Sequence, residues 1–194
     1  MKKISVLGAT GSVGENTLKI IGRNKNKYDV IALTSYKNYK KLAKFALMFN
    51  CKYAVIGEMK YFSYLKEELL GSNIKCLAGY KAICEVSSLK VDILISAIVG
   101  IAGLKPTFAS IGNTKILAIA NKESIISAGN LLLKKAKLKK TKIIPLDSEH
   151  NAIYQILRSE NNSSVKDIIL TASGGPFLKM NKKNFKKITV EDAL

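Results

Sequence analysis

A chain of 194 residues, 47% hydrophobic and 24% charged, is long enough to bury a core and too apolar to be a disordered polymer. Its formal net charge of +18 comes almost wholly from lysine, Arg23 and Arg158 being the only arginines, so the bidentate phosphate grip of an arginine-rich nucleic-acid face is missing. Cys51, Cys76 and Cys84 are odd in number and lack CxxC spacing, which argues against a disulfide framework and a zinc knuckle and fits a reducing compartment.

From the N-terminus, Met1-Lys2-Lys3 runs straight into ISVLG, leaving no signal-peptide core. Short apolar runs then recur: Ile4–Leu7, Val30–Thr34, Tyr53–Ile56, Ile74–Leu77, Ile93–Ser96, Ile116–Ala120, Ile143–Leu146 and Ile168–Ala172. Between them, NYKKLAKFALMF, FSYLKEELL and SIISAGNLLLKKAK space their apolar residues at three and four, the period of an amphipathic helix. The longest apolar run, around VDILISAIVGIAGL, is broken by glycine and bounded by Asp92 and Lys105, short of a membrane span. Strands alternating with helices predict a doubly wound, mostly parallel α/β sheet of Rossmann type. A Lys-rich connector at Leu138–Lys142 closes the regular alternation, dividing the expected domains at 1–142 and 143–194. A cytoplasmic protein with no membrane partner and no nucleic-acid partner is expected. A basic nucleic-acid binder is the competing reading of the charge, and an anionic substrate is compatible with it.

Five stretches carry candidate chemistry. Gly8, Gly11 and Gly14 follow the first strand and open a helix; the bland reading is a flexible turn, the sharper one a phosphate cradle of GxxGxxG spacing. The second strand ends in Ser35-Tyr36-Lys37-Asn38, while the nearby acid, Asp29, sits at its beginning; a cation at the carboxyl end favours a 2′-phosphate and so NADP(H). Asn121 in ANKES is a helix cap or a site residue, and Lys122 stands at a strand's carboxyl end, placed for an anionic substrate. Asp147 and Glu149 in LDSEHNAI are helix-capping carboxylates or oxygen ligands for Mg²⁺ or Mn²⁺. Ser173 beside Gly174-Gly175 in TASGGPF is a plain turn or a phosphate contact.

Together and in order, GATGSVG at 8–14, ANKES at 120–124, LDSEHNAI at 146–153 and TASGGPF at 171–177 closely resemble the 1-deoxy-D-xylulose 5-phosphate reductoisomerase family. The resemblance covers essentially the whole chain. Aspartate-semialdehyde dehydrogenases share a GxTGxVG start and are the rival NADP-dependent reading, but none of the three cysteines has the setting their catalytic thiol needs. The resemblance implies an NADPH-dependent enzyme that rearranges deoxyxylulose phosphate and reduces the resulting aldehyde to methylerythritol phosphate, with a divalent metal as Lewis acid. It implies cofactor contacts from Thr10, Gly11, Ser12, Val13, Tyr36, Lys37, Asn38, Asn121 and Glu123. Lys122 and Glu149 are the implied catalytic residues, Lys122, Ser148, Glu149 and Ser173 the substrate contacts, and Asp147 and Glu149 the metal ligands. Family members are longer, continuing past SGGPF with the rest of an α+β catalytic domain. The expectation is therefore a fragment or truncated product, inactive alone, of an enzyme that is a homodimer at full length.

Overall fold

The computed structural model describes residues 1–159, 164–169 and 174–193. Every expected strand up to Leu146 forms within a residue or two of its apolar run: β1 (Lys2–Leu7), β2 (Tyr28–Ser35), β3 (Tyr53–Ile56), β4 (Lys75–Ala78), β5 (Val91–Ser96), β6 (Thr114–Ile119) and β7 (Lys142–Pro145). They join into one sheet in the order β4-β3-β2-β1-β5-β6-β7, and every pairing is parallel. Of the expected strand at Ile168–Ala172, Ile168 and Ile169 lie outside regular secondary structure and residues 170–172 lie outside the described residues.

Between the strands run α1 (Ser12–Gly22), α2 (Tyr39–Phe49), α3 (Phe62–Glu68), α4 (Gly79–Ser87), α5 (Leu104–Ser110) and α6 (Lys122–Leu138), followed by α7 (Ser148–Ser159) and α8 (Val190–Ala193). A parallel sheet needs both faces covered, and two apolar layers do so. On one face Leu18 and Ile21 of α1, Leu42 and Ala46 of α2 and Leu65 of α3 meet Ile4, Val6 and Leu33. On the other, Leu132 and Ala136 of α6 meet Leu94 and Leu117, while Ala82, Ile83 and Val86 of α4 meet Ala32 and Val55. α6 is not one regular helix: Ala128 has φ −144° and ψ 24°. The break falls in Ser127-Ala128-Gly129-Asn130, where three of four residues are weak helix formers.

The strand order decides where a ligand can lie. The chain runs outward from β1 to β4, then returns to place β5 on β1's other side. At this reversal the connections leave in opposite directions, and the carboxyl ends of β1 and β5 border an open crevice.

Two compact units are separated in the chain, Met1–Tyr154 and Gln155–Leu194. The first holds the sheet. In the second, the side chain of Asn181 accepts the Lys183 N–H (3.1 Å) at the start of a 3-10 turn, Lys182–Lys187. α8 opens with a reciprocal cap: the Thr189 hydroxyl accepts the Asp192 N–H (3.2 Å) and the Asp192 carboxylate accepts the Thr189 N–H (2.9 Å). Among the described residues no helix is long and apolar enough to cross a membrane.

Candidate functional site

The turn from β1 into α1 is built from backbone. Gly8 has φ +80°, and a Cβ there would stand 2.5 Å from the carbonyl oxygen of Ala97, so the turn needs glycine on two counts. A Cβ on Gly14 would collide with the Gly8 carbonyl oxygen and the backbone of Ala9; glycine here lets α1 sit against the turn that precedes it. Gly11 differs. A Cβ there meets only the Gly8 oxygen, at 3.5 Å, so the protein itself leaves room for a side chain at the residue that caps α1.

Thr34 at the end of β2 holds the turn in place. Its hydroxyl oxygen accepts the Gly8 N–H (2.9 Å) and its carbonyl the Ala9 N–H (2.7 Å). The hydroxyls of Thr10 and Ser35 pair at 2.7 Å. No side chain caps α1, so the first-turn N–H groups, including those of Ser12 and Val13, carry the helix's partial positive charge outward. Thr34 carries no motif; what marks it is a hydroxyl residue at the end of the strand that neighbours the glycine strand.

Above this turn lies a cleft of about 470 Å³, lined by Gly8, Thr10, Gly11, Tyr36, Gly57 and Tyr80 among others. That is the size class of a small-molecule site. Its described lining residues include no Asp or Glu. Tyr36 is 67% exposed, and a Cβ on Gly57 would come within 2.9 Å of its ring, so the phenol lies along bare backbone. Lys37 and Asn38 follow, both exposed. The Asn38 side chain accepts the Lys41 N–H (3.2 Å) and caps α2. Asp29 lies at the opposite end of β2, paired in register with Lys3.

A smaller recess, about 160 Å³, continues past Gly11, Ser12 and Val13 to Asn121, Lys122 and Glu123 at the end of β6. Ala97, Ile98 and Val99 line both spaces. Asn121 is 2% exposed and its carboxamide is committed within the protein: the oxygen accepts the Ser124 N–H (2.7 Å) and pairs with the Ser124 hydroxyl, while the nitrogen donates to the carbonyls of Ile98 and Gly100. Asn121 thus both caps α6 and ties the β5–α5 loop to it. Glu123 is half-buried and Lys122 exposed.

Lys122 also lines an apolar groove of about 330 Å³ that reaches Asp147 and His150. Here β7 turns into α7. The Asp147 carboxylate accepts the His150 N–H (3.0 Å), which caps α7, and contacts the His150 ring Nδ1 at 2.6 Å. Burial pushes the Asp147 carboxyl up, but the hydrogen bonds from the His150 backbone and ring outweigh it and leave it below the ordinary carboxylate value. The N–H of Glu149 itself, then the Ser148 hydroxyl at 2.9 Å, then the nearby Lys122 ammonium hold Glu149 low as well. Both carboxylates therefore present anionic oxygen, the donor type that Mg²⁺ and Mn²⁺ take. Among the described residues no group of three His, Cys, Asp or Glu side chains could hold a metal ion, so Asp147 and Glu149 by themselves do not complete a ligand set. Ser173 lies outside the described residues.

The family model of 1-deoxy-D-xylulose 5-phosphate reductoisomerase matches residues 4–129, and that of the same enzyme's C-terminal domain matches 143–194. The 1-deoxy-D-xylulose 5-phosphate reductoisomerase of Wolbachia pipientis subsp. Culex pipiens is 49% identical over all of this chain and 50% of its own length. That of Zymomonas mobilis is 44% identical, again over all of this chain and 50% of its own length. The Zymomonas mobilis enzyme solved in complex with NADPH superposes with a TM-score of 0.86 at 46% identity, covering 93% of this chain and 48% of that one. A DOX-P reductoisomerase solved with NADPH, fosmidomycin and magnesium gives 0.82 at 36% identity, covering 100% of this chain and 50% of that one. The chain spans about half the length of the curated relatives it matches. The rival aspartate-semialdehyde reading falls to this match. The chain, with its glycine turn, its ANKES recess and its DSEH carboxylates, belongs to the 1-deoxy-D-xylulose 5-phosphate reductoisomerase family.

Proposed function

We propose that this chain supplies the NADPH-binding part and two metal-binding carboxylates of an enzyme that converts 1-deoxy-D-xylulose 5-phosphate to 2-C-methyl-D-erythritol 4-phosphate, a step of non-mevalonate isoprenoid synthesis. The observation that carries it is the double placement of Lys122. It lines the recess that continues the cleft above the glycine turn, and also the groove holding Asp147. One residue thus joins the two half-sites that a metal-assisted reduction must bring together.

In this reading the uncapped N–H groups of α1, with Thr10, Gly11, Ser12 and Val13, receive the pyrophosphate. Tyr36 lies against the adenine, and Lys37 meets the 2′-phosphate, with Asn38 holding the turn that presents them. Asn121 and Glu123 border the nicotinamide end, Asn121 by fixing the loop over it. When bound, the reduced nicotinamide supplies hydride and the divalent cation polarises substrate oxygens. Lys122 orients an anionic substrate and offsets charge on its oxygens. Asp147 and Glu149 hold the cation, and Ser148, Glu149 and Ser173 contact the substrate. The domain division is proposed at 142/143, where the second family model begins. Cytoplasmic action, a homodimer at full length and no nucleic-acid partner belong to the same reading.

Fluorescence titration of the 194-residue chain tests the cofactor half, with NADPH expected to bind more tightly than NADH. Equal affinity would count against it. Incubation with substrate, NADPH and Mn²⁺ is expected to consume no cofactor above background, because the described residues offer only a partial metal set; robust turnover would overturn that expectation. Tight duplex-DNA binding with a steep salt slope, uncompeted by NADPH, would favour the nucleic-acid reading instead.

A further inference from the structure

The loop from Ala97 to Gly103, between β5 and α5, gives Ala97, Ile98 and Val99 to the walls of both cofactor spaces. It contains six successive non-proline residues, Ile98 to Gly103, with Val99 86% exposed and Ile101 61% exposed. Gly100 has φ +74° and nothing within 4 Å of where its Cβ would be. Ala97 and Ile98 pack against the apolar layers, but the stretch from Val99 to Ala102 is largely exposed, so its position depends on hydrogen bonds from outside it.

Two side chains provide them from α4 and α6, while at the loop's end the Thr107 hydroxyl of α5 donates to the Gly103 carbonyl at 2.6 Å. Asn121 binds the carbonyls of Ile98 and Gly100 from the α6 side. From α4, the Tyr80 hydroxyl donates to the Ala102 carbonyl at 3.0 Å. Tyr80 and Ala102 both line the larger cleft, as do Gly8, Thr10 and Gly11 of the glycine turn. We infer that Tyr80 is a positioning residue: its hydroxyl holds the 97–103 loop at the spacing from the glycine turn that a dinucleotide requires, and so sets how long the cofactor stays bound. This rests on the NADPH reading given above.

The geometry supports a specific device. Tyr80 directly follows Gly79, whose φ of +89° turns the chain from β4 into α4 and sets where the phenol emerges. Burial, then the neighbouring Cys84, push the Tyr80 phenol above its usual value against the backbone N–H of Lys105, so the hydroxyl keeps the proton it donates. Asn121 is buried in a network that also caps α6, whereas Tyr80 is 41% exposed. Of the two anchors, the tyrosine is the one whose bond can open without unravelling a helix.

Tyr80→Phe keeps the ring and removes the donor. In the 194-residue chain, the NADPH dissociation constant is expected to rise about fivefold, through a faster off-rate, the factor carried by ~1 kcal/mol of one net hydrogen bond. The ligand-free urea midpoint should fall by less than the loss of binding, while amide exchange at residues 98–103 should accelerate without ligand. An unchanged dissociation constant with unchanged exchange would overturn the inference. So would a fall in ligand-free stability large enough to account for the weaker binding, since that is what a merely structural tyrosine would show. Absence of NADPH binding by the wild-type chain would instead remove the cofactor reading, and the exchange comparison on ligand-free protein would still decide whether Tyr80 holds the loop.

Discussion

The turn after β1 and the turn after β7 have the same topology and opposite electrostatics. Both carry the chain from the carboxyl end of a parallel strand into a helix. After β1 the capping position is Gly11, no side chain satisfies the first-turn amides, and α1 offers N–H groups and partial positive charge to an anion. After β7 it is Asp147, whose carboxylate takes the His150 N–H, and Glu149 adds a second anion in the first turn. The same architectural slot presents N–H groups and partial positive charge in one place and carboxylates in the other. The sign of each site is set by one capping residue, and Lys122 lies against both regions.

The most severe way to break this comparison is on the glycine side. Gly14→Ala places a Cβ against the Gly8 carbonyl and the Ala9 backbone, neither of which can yield. A loss of about 3 kcal/mol in urea unfolding is expected, at the upper end of overpacking costs, with NADPH binding abolished. Gly11→Ala sharpens the point by separating fold from function. Its Cβ finds 3.5 Å of clearance, so stability should move by no more than about 0.5 kcal/mol, while NADPH affinity falls tenfold or more, about 1.4 kcal/mol, because the methyl occupies ligand space. A loss of stability matching the loss of affinity would show that Gly11 serves the turn alone.

Lys37→Asp tests the far end of the cleft. It should remove a preference for NADPH over NADH of about tenfold or more, measured by titrating both, because the 2′-phosphate then faces like charge. An unaltered ratio would mean Lys37 is a solvated surface lysine.

On the carboxylate side, Asp147→Ala removes a cap and should cost about 1 kcal/mol at neutral pH, whereas Asp147→Asn retains a capping oxygen and should cost less. The sign with pH follows from the lowered carboxyl. A group depressed in the folded state contributes stability above its unfolded value of 3.8, lost as pH falls through the folded value. The deficit of Asp147→Ala should therefore shrink in acid, and a deficit independent of pH would separate the cap from the charge. The smallest effect expected concerns the thiols. Burial raises Cys51 to about 12 and also raises Cys76 and Cys84. Iodoacetamide at about pH 8 should leave Cys51 unmodified longest, because only thiolate reacts; early labelling of Cys51 would show that the first unit opens readily.

Much of the first unit was legible because its signals are local. Strands buried on both faces read as short apolar runs, and Val30–Thr34 or Tyr53–Ile56 cannot be mistaken for half-buried strands. The glycine motif was legible for the same reason: Gly8 and Gly14 answer to collisions with backbone only a few residues or one strand away. α4 offered less. GYKAICEVS is short, opens on a glycine and lacks a capping side chain, so no start signal marks it, although Ala82, Ile83 and Val86 fall at helical spacing and it supplies Tyr80. Ile168 and Ile169 illustrate the converse: an apolar pair has strand character only when a neighbouring strand pairs with it.

The residue sequence by itself determined the alternation of strand and helix, the backbone character of the glycine turn and the pair of carboxylates after β7, since each depends on side chains within a few positions. Tertiary structure alone decided the strand order that opens a crevice between β1 and β5, the grip of Thr34 on the turn and the meeting of Lys122 with Asp147 across one groove. It also committed the Asn121 carboxamide to the β5–α5 loop, where the motif had left a cap and a site residue equally open. Partners 21 to 26 residues apart leave no periodic trace in the chain. They come together because parallel strands place their carboxyl ends side by side, whatever lies between them in sequence.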